Sequence, residues 1–290
     1  MLARVEVRDP RWCAPLSVAE VVVAIEGRRV ERLWRRGKYL VASLEGDVHL
    51  IMHLRMTGTV LYDGDPARPH MRVVMAFDDG HALTWVDPRR FGTGQLARGA
   101  ADLEAFFDAR LGVEPLSEAF TPGLLRSLAR DRRAPVKAFL LDQRRIAGVG
   151  NIYADEALFR ARIHPLRPAG RLTGAQLERL RDAVVASLSA GVAAKGASID
   201  DFRDPDGARG SFQDQFLVHR RGGEPCPRCG KPIEKLVAAG RGTYVCPRCQ
   251  PRPRRQKAAV LAAKAIGITA VEATGGILRR PTGAPGGGDA

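Results

Sequence analysis

The 290-residue sequence lacks any run of about eighteen consecutive apolar residues, so it offers no membrane-spanning helix. Its first thirty residues lack the basic, apolar and small-residue blocks of a secretory signal, and a cytoplasmic setting is expected. Aromatic residues are scarce at 6%, yet 45% hydrophobic and 27% charged content excludes disorder throughout and suffices for two modest domains with a sizeable core. Acids are outnumbered: 32 face 46 bases, and the formal net charge of +14 favours a polyanionic partner. Only seven of those bases are lysines. The arginine excess therefore has two readings, nucleic-acid binding or a GC-rich coding bias.

The position of the charge bears on that choice. Residues 124–171 hold eleven bases and four acids, and residues 220–255 hold ten and two, so these stretches carry +15 while the rest carries about −1. Basic charge gathered into two short segments points to two contact surfaces on one nucleic acid, although a solvated basic face has the same composition.

Of the five cysteines, Cys226-Pro-Arg-Cys229 and Cys246-Pro-Arg-Cys249 form two CxxC pairs sixteen residues apart. Each pair sets two sulfurs on one tight turn, and the intervening residues can run out and back as a hairpin, which fits one tetrahedral Zn2+ held by four thiolates. Disulfides are disfavoured in a cytosolic chain. No open coordination position is supplied, so the metal is expected to be structural. Cys13, beside Trp12, is expected to be a packed apolar residue and not a reactive thiol.

Up to about residue 96 the pattern is strand-like: RVEV, VERLW, YLVASL, VHLIMHL, MRVVMAF and HALTWV alternate with turn clusters such as Glu45-Gly46-Asp47 and Asp78-Asp79-Gly80. This suggests a β-sandwich or barrel. After residue 100 the period becomes helical. Thr121-Pro122 reads as an N-cap with proline at the first helical position, and Thr173 with Gln176 reads as a capping box. Residues 203–223 are polar and glycine-rich and read as a linker or mobile loop; the zinc hairpin follows, and from Pro251 a flexible basic and Gly/Pro-rich tail is expected. The stretch from Lys137 to Glu156 reads as helix, glycine turns, helix, with Asn151 as N-cap and free amides at the second helix start that would suit a phosphate. An ordinary helical hairpin is the alternative.

Seven motifs in order, RRGKYL, HLRMTG, DPRRFG, LLDQRRIAGVGNIYADEALF, IHP, GEPCPRCG and RGTYVCPRCQ, resemble those of the formamidopyrimidine-DNA glycosylases over about Val5 to Gln250. The resemblance implies an α+β multidomain fold: an N-terminal β-sandwich over residues 1–110, a helix-two-turns-helix DNA-binding domain over 111–210, a four-cysteine zinc-finger β-hairpin over 211–250, and the tail over 251–290. It implies a monomeric bacterial repair enzyme of the cytosol and nucleoid that carries one structural Zn2+. Its partner is double-stranded DNA containing oxidised bases or abasic sites. The implied activity is excision of oxidised purines (formamidopyrimidine, 8-oxoguanine) and nicking of the abasic strand by β,δ-elimination.

Carried over by motif, Lys38 matches a phosphate-contacting lysine assigned as a proton donor in strand cleavage, and Arg241 matches an arginine that grips the phosphate at the lesion and is assigned to the second elimination. Met56, Arg89 and Phe91 match residues that fill the gap left by an extruded nucleotide, as an enzyme acting on a base within a duplex requires. His53, His70, Arg132, Lys137 and Asn151 fall where the family contacts DNA, and the loop from Gly196 to Gly210 falls where it covers the everted base. Read without the resemblance, Lys38 fits equally a solvated face, His53 a core histidine, and Met56 and Phe91 core packing.

One element departs from the pattern. The family begins with a proline whose amine attacks the sugar C1′, followed by a glutamate that acts as general acid and base. Met1-Leu-Ala-Arg-Val5 aligns with a strand some twenty residues inside that pattern, so neither residue is present here. The expected explanation is that the cellular chain starts upstream and is active; residues 1–290 should then bind and not cut. The alternatives are a non-catalytic zinc protein that binds damaged DNA, and a zinc-ribbon RNA-binding protein that would leave DPRRF unexplained. Without the family's first helix, apolar surface is expected on the sandwich.

Overall fold

Alternation of apolar and polar side chains builds the first third of the chain. A computed structural model describes residues 1–198 and 204–253. It contains strands β1 (Leu2–Val7), β2 (Val30–Arg36), β3 (Tyr39–Leu44), β4 (Val48–His53), β5 (Thr59–Tyr62), β6 (Met71–Phe77), β7 (Ala82–Val86) and β8 (Thr93–Arg98). All pairings are antiparallel and give two four-stranded sheets, ordered β1-β6-β7-β5 and β2-β3-β4-β8. Leu2, Val5, Val73, Met75 and Trp85 of one sheet share a core with Ala42, Leu44, Leu50 and Met52 of the other, so the sheets pack face to face. Strand β4 is buried on both faces: Leu50 and Met52 meet the opposite sheet, while Ile51 packs on Phe107 and Leu111.

All six segments read as strands are strands, but helix α1 (Val18–Ile25) interrupts the series. Its valine-rich sequence favours extended structure by propensity. The deciding feature is the capping box of Ser17 and Glu20, in which side chain and backbone reciprocate. Cys13 is completely buried, as expected of a packing residue. An apolar opening of about 280 Å³ lies among Leu2, Val30, Leu40, Leu50, Met75 and Leu83, with the exposed Leu33 and Tyr62 beside it.

The β7–β8 connection stands on two tryptophans. Trp12 and Trp85 meet edge to face at 5.6 Å. A Cβ on Gly92 would lie 2.6 Å from the Trp85 ring, and one on Gly94 would lie 2.2 Å from that of Trp12. Only glycine lets the backbone come so close. Gly94→Ala is therefore expected to destabilise by about 1–3 kcal/mol through overpacking, read as a lower urea midpoint.

Helix α2 (Gly99–Asp108) packs on the sandwich, and α3 (Pro122–Ala129), α4 (Val136–Leu141), α5 (Asn151–Arg160) and α6 (Gly174–Ala193) surround a second core containing Phe120, Leu125, Leu140, Leu158 and Leu180. Thr121 caps α3, and Thr173 with Gln176 forms the capping box of α6, as the sequence predicts. Residues 204–223 are not a loose linker. Phe212 and Val218 are completely buried, and Phe212 and Phe216 pack against Ile152 and Tyr153 of α5. The glycine content concealed three apolar anchors. Strands β9 (Glu234–Ala238) and β10 (Arg241–Val245) form the zinc hairpin, turning at Ala239-Gly240, both at positive φ. The expected tail beyond residue 253 lies outside the described residues, as do 199–203 of the loop expected over the base.

Candidate nucleic-acid interface

The hairpin is organised by its thiolates. Zn–S bonds of about 2.3 Å in a tetrahedron place the sulfurs about 3.8 Å apart. Here Cys226 Sγ lies 3.9 Å from Cys249 Sγ and Cys229 Sγ lies 3.4 Å from Cys246 Sγ, with all four sulfurs within 4.8 Å of one another. Four soft donors at these spacings fit Zn2+ with no position left for substrate, so the ion is structural. Cys226, Cys246 and Ile233 pack against Phe159 and Val218, which fixes the zinc centre to α5.

A buried polar network fixes β10 to the same helix. Lys137 Nζ, with the residue 0% exposed, donates to Asp155 Oδ1 at 2.7 Å, Thr243 Oγ1 at 2.7 Å and the Gly242 carbonyl at 3.3 Å. The other oxygen of Asp155 meets His219 Nδ1 at 2.9 Å. Next to it, the buried Glu156 carboxylate accepts the backbone N–H groups of Leu217, Val218 and His219. The expectation that Lys137 contacts DNA is thereby corrected. All three of its protons are engaged inside the protein, and the residue pins the zinc hairpin to α4 and α5.

Asn151 also differs from its expected local role. Gly150 is the N-cap of α5, with no side-chain cap among the described residues, and Asn151 is the first residue of the helix. Its Nδ2 donates to the Gly242 carbonyl at 3.1 Å, and its buried Oδ1 has no partner among the described residues. Helix α5 therefore begins beside the hairpin with its first amides uncapped, an arrangement suited to an anion.

Lys38 reaches this helix start from the sandwich. Its Nζ donates to the Val149 carbonyl at 3.0 Å, and a Cβ on Gly150 would lie 3.5 Å from it. Gln143 Nε2 donates to the same carbonyl at 2.9 Å while Gln143 Oε1 accepts the Gly148 N–H at 2.9 Å, bracing the glycine turn. On the sandwich side, the Glu114 carboxylate accepts the Gly37 N–H and pairs with Arg35. No carboxylate pairs with Lys38 or Arg241 among the described residues. Desolvation of the ammonium, with Arg241 and Arg55 nearby, lowers the Lys38 pKa to about 8. Desolvation, with Arg55 and Lys38, lowers that of the half-buried His53 to about 4. His53 is thus neutral at pH 7, and its Nδ1 accepts the Arg55 N–H at 2.9 Å, so its proton sits on Nε2 and is available to an acceptor. Unpaired cations, a neutral N–H donor and a helix start converge here, which is the chemistry of a phosphate site.

The proposed gap-filling residues are on the surface and not in the core. Met56 is 71% and Phe91 49% exposed, and the Arg89 guanidinium lies 4.7 Å from the Phe91 ring centroid. Two large apolar side chains presented to water beside a cation suit insertion into a base stack. His70 is exposed at positive φ, its carbonyl accepting the Asp87 N–H at 3.0 Å. Arg132 is exposed between α3 and α4, and no contact among the described residues joins it to the Lys38 group. Sequence reading missed Glu114, Gln143, Asp155 and His219. Gln143 lies inside the motif LLDQRRIAGVGNIYADEALF, and Asp155-Glu156 carries a signal of its own, two acids inside an otherwise apolar helical run.

Three family models match the chain: the formamidopyrimidine-DNA glycosylase N-terminal domain over residues 1–94, the formamidopyrimidine-DNA glycosylase H2TH domain over 111–203, and a zinc finger found in FPG and IleRS over 223–252. The formamidopyrimidine-DNA glycosylase of Roseiflexus sp. (strain RS-1) is 44% identical over 252 residues, covering 86% of this chain and 92% of that protein. The one from Thermus thermophilus is 46% identical over 252 residues, covering 86% and 90%. The crystal structure of the MutM (Fpg) protein from Thermus thermophilus superposes with a TM-score of 0.79 at 43% identity, covering 88% of this chain and 92% of that one. That of Lactococcus lactis Fpg with abasic-site DNA gives a TM-score of 0.80 at 32% identity, covering 87% and 92%. Sequence, fold and zinc centre agree that the chain belongs to the formamidopyrimidine-DNA glycosylase family.

Proposed function

We propose that this protein is a DNA-repair glycosylase and abasic-site lyase that works as a monomer on oxidised purines in duplex DNA within the bacterial cytosol and nucleoid. The observation that carries this reading is the pairing of an unpaired cationic cluster at the α5 start (Lys38, Arg241) with the exposed set Met56, Arg89 and Phe91. In this reading the phosphates beside the lesion are held by Lys38, the His53 Nε2–H, Arg241 and the first amides of α5. Met56, Arg89 and Phe91 enter the stack as the damaged nucleotide leaves it, replacing lost stacking with a thioether and a ring and lost pairing with a guanidinium. His70 and Arg132 add backbone contacts. Lys38 supplies a proton during strand cleavage, and Arg241 assists the second elimination. DNA complexes of the Lactococcus lactis relative with an abasic site and with Fapy-dG support the substrate class.

The amine that attacks C1′ in this reading comes from a proline followed by glutamate, a pair absent from the start of residues 1–290. The test compares residues 1–290 with the same chain extended at its amino end by a proline–glutamate-led helix. Both should bind a duplex containing a tetrahydrofuran abasic analogue in preference to undamaged duplex. Only the extended chain should be trapped on an abasic aldehyde by borohydride, which reduces the imine to a stable amine. If neither form traps, the non-catalytic binding reading replaces this one. If RNA competes as well as the lesion duplex, both fall.

Affinity for the abasic duplex is expected to fall as pH rises through about 8. Lys38 holds phosphate as an ammonium, and the free protein loses that proton near pH 8, so its contact is fully present below that pH and progressively lost above it. Lys38→Met should lower affinity at pH 7 and flatten the profile between pH 7 and 9, measured by fluorescence anisotropy.

A further inference from the structure

All three side chains of the segment Arg89-Arg90-Phe91 reach solvent, but Arg90 is anchored to a buried carboxylate of the sandwich. Arg90 sits in the left-handed region at φ 59, unfavourable for a residue with a Cβ. Its guanidinium is held by both oxygens of Asp9, with Nη2 donating to Oδ1 at 2.7 Å and Nε donating to Oδ2. Asp9 is only 3% exposed and lies just past the end of β1, eighty-one residues away in sequence. The pairing holds the Asp9 carboxyl down at a pKa of about 2. A second buried carboxylate works from the other side: Asp87 accepts the Thr57 hydroxyl and the Gly92 N–H. Thr57 follows Met56, and its Oγ1 also accepts the Arg89 N–H at 3.4 Å. Beneath both loops lie Trp12 and Trp85 against Gly94 and Gly92.

We propose that Asp9 is a positioning residue for lesion interrogation: by anchoring the Arg90 guanidinium at the edge of the sandwich, it sets Arg89 and Phe91 outward beside Met56 before DNA arrives. The inference rests on the reading of Met56, Arg89 and Phe91 as the gap-filling set. Inserting an ordered loop forgoes the conformational entropy that a loose loop would lose on binding. An unbraced loop would still allow the phosphate grip, so discrimination and affinity should separate.

The test uses residues 1–290, which need not cut. A duplex carries the tetrahydrofuran abasic analogue opposite 2-aminopurine, whose emission rises when the gap-filling side chains unstack it. Asp9→Asn is the informative variant because asparagine caps the Pro10–Trp12 turn as well as aspartate does, so only the charge is removed. With wild type, emission should rise on binding and the lesion duplex should be preferred. Asp9→Asn should lower that preference by about tenfold, the loss expected of one charge-assisted pair, and reduce the emission rise, with undamaged-duplex affinity unchanged. Arg90→Gln and the double variant should give the same loss, because both residues act through one bond. Thr57→Val, which loosens the loop from the Asp87 side, should reproduce the effect if Asp9→Asn folds poorly. If wild type discriminates and Asp9→Asn and Thr57→Val discriminate equally well, the inference is overturned while the proposed function stands. If Arg90→Gln weakens undamaged-duplex binding too, Arg90 is a DNA contact and the inference is likewise overturned. If wild type itself neither prefers the lesion nor changes the emission, the gap-filling reading fails and takes the inference with it.

Discussion

Stripping the zinc is expected to abolish preference for an abasic duplex while the sandwich stays folded. Structural Zn2+ sites of this type contribute about 10–16 kcal/mol of apparent binding free energy near pH 7, and small thiolate domains unfold without the ion. Here the ion ties together two CxxC turns that otherwise meet through few apolar contacts, chiefly Cys226, Ile233 and Cys246 against Phe159 near the end of α5. Loss of the metal frees β9 and β10, and with them Arg241 and the Gly242 carbonyl that Lys137 and Asn151 hold. Metal analysis should find one zinc per chain. Release by a chromophoric chelator should parallel the fall in lesion-duplex affinity, and Cys246→Ser should reproduce the loss. A stripped protein that retains lesion preference would show that Arg241 is positioned without the ion.

Lys137→Met should cost about 3–5 kcal/mol, the loss typical of removing one partner from a buried ion pair. Both Lys137 and Asp155 are essentially inaccessible to solvent. The substitution leaves the Asp155 carboxylate facing His219 alone and strips a donor from Thr243 and Gly242. Urea denaturation followed by far-ultraviolet circular dichroism should show a markedly lower midpoint. The double replacement Lys137→Met with Asp155→Leu should recover part of the loss, because no uncompensated charge then remains. A surface lysine in contact with phosphate would behave oppositely, weakening DNA binding with little change in stability.

Much of the fold is legible locally. Strand alternation, the Thr121 and Thr173 caps and the thiolate spacing each state their structure within a few residues. Three misreadings share one cause: the deciding partner is remote in sequence. Lys137 looks like a free cation until Asp155, Thr243 and Gly242 close around it. Residues 204–223 look loose until Phe212 and Phe216 find α5. Asn151 looks like a cap until Gly242 takes its amide. Helix α1 differs, since it lies within the stretch expected to be strand-like although its capping box, Ser17-Val-Ala-Glu20, is local. Within the candidate site, the residues proposed to touch DNA are legible through motif order; of those that brace them, Asp87 and Gln143 lie inside the motifs DPRRFG and LLDQRRIAGVGNIYADEALF with nothing local to show what they hold, and Asp9 and Glu114 lie outside every motif.

The tryptophans have an optical consequence. All three, Trp12, Trp34 and Trp85, belong to the sandwich, two of them in the edge-to-face pair under the β7–β8 connection. Intrinsic emission excited near the red edge of protein absorption therefore reports on one half of the molecule, and the helical half and the zinc hairpin are silent in that channel. Ellipticity is weighted the other way, towards α3 to α6. Melts recorded in the two channels will superimpose only if both halves unfold in a single cooperative step, so the placement of three indoles turns an ordinary spectrometer into a domain-resolved one.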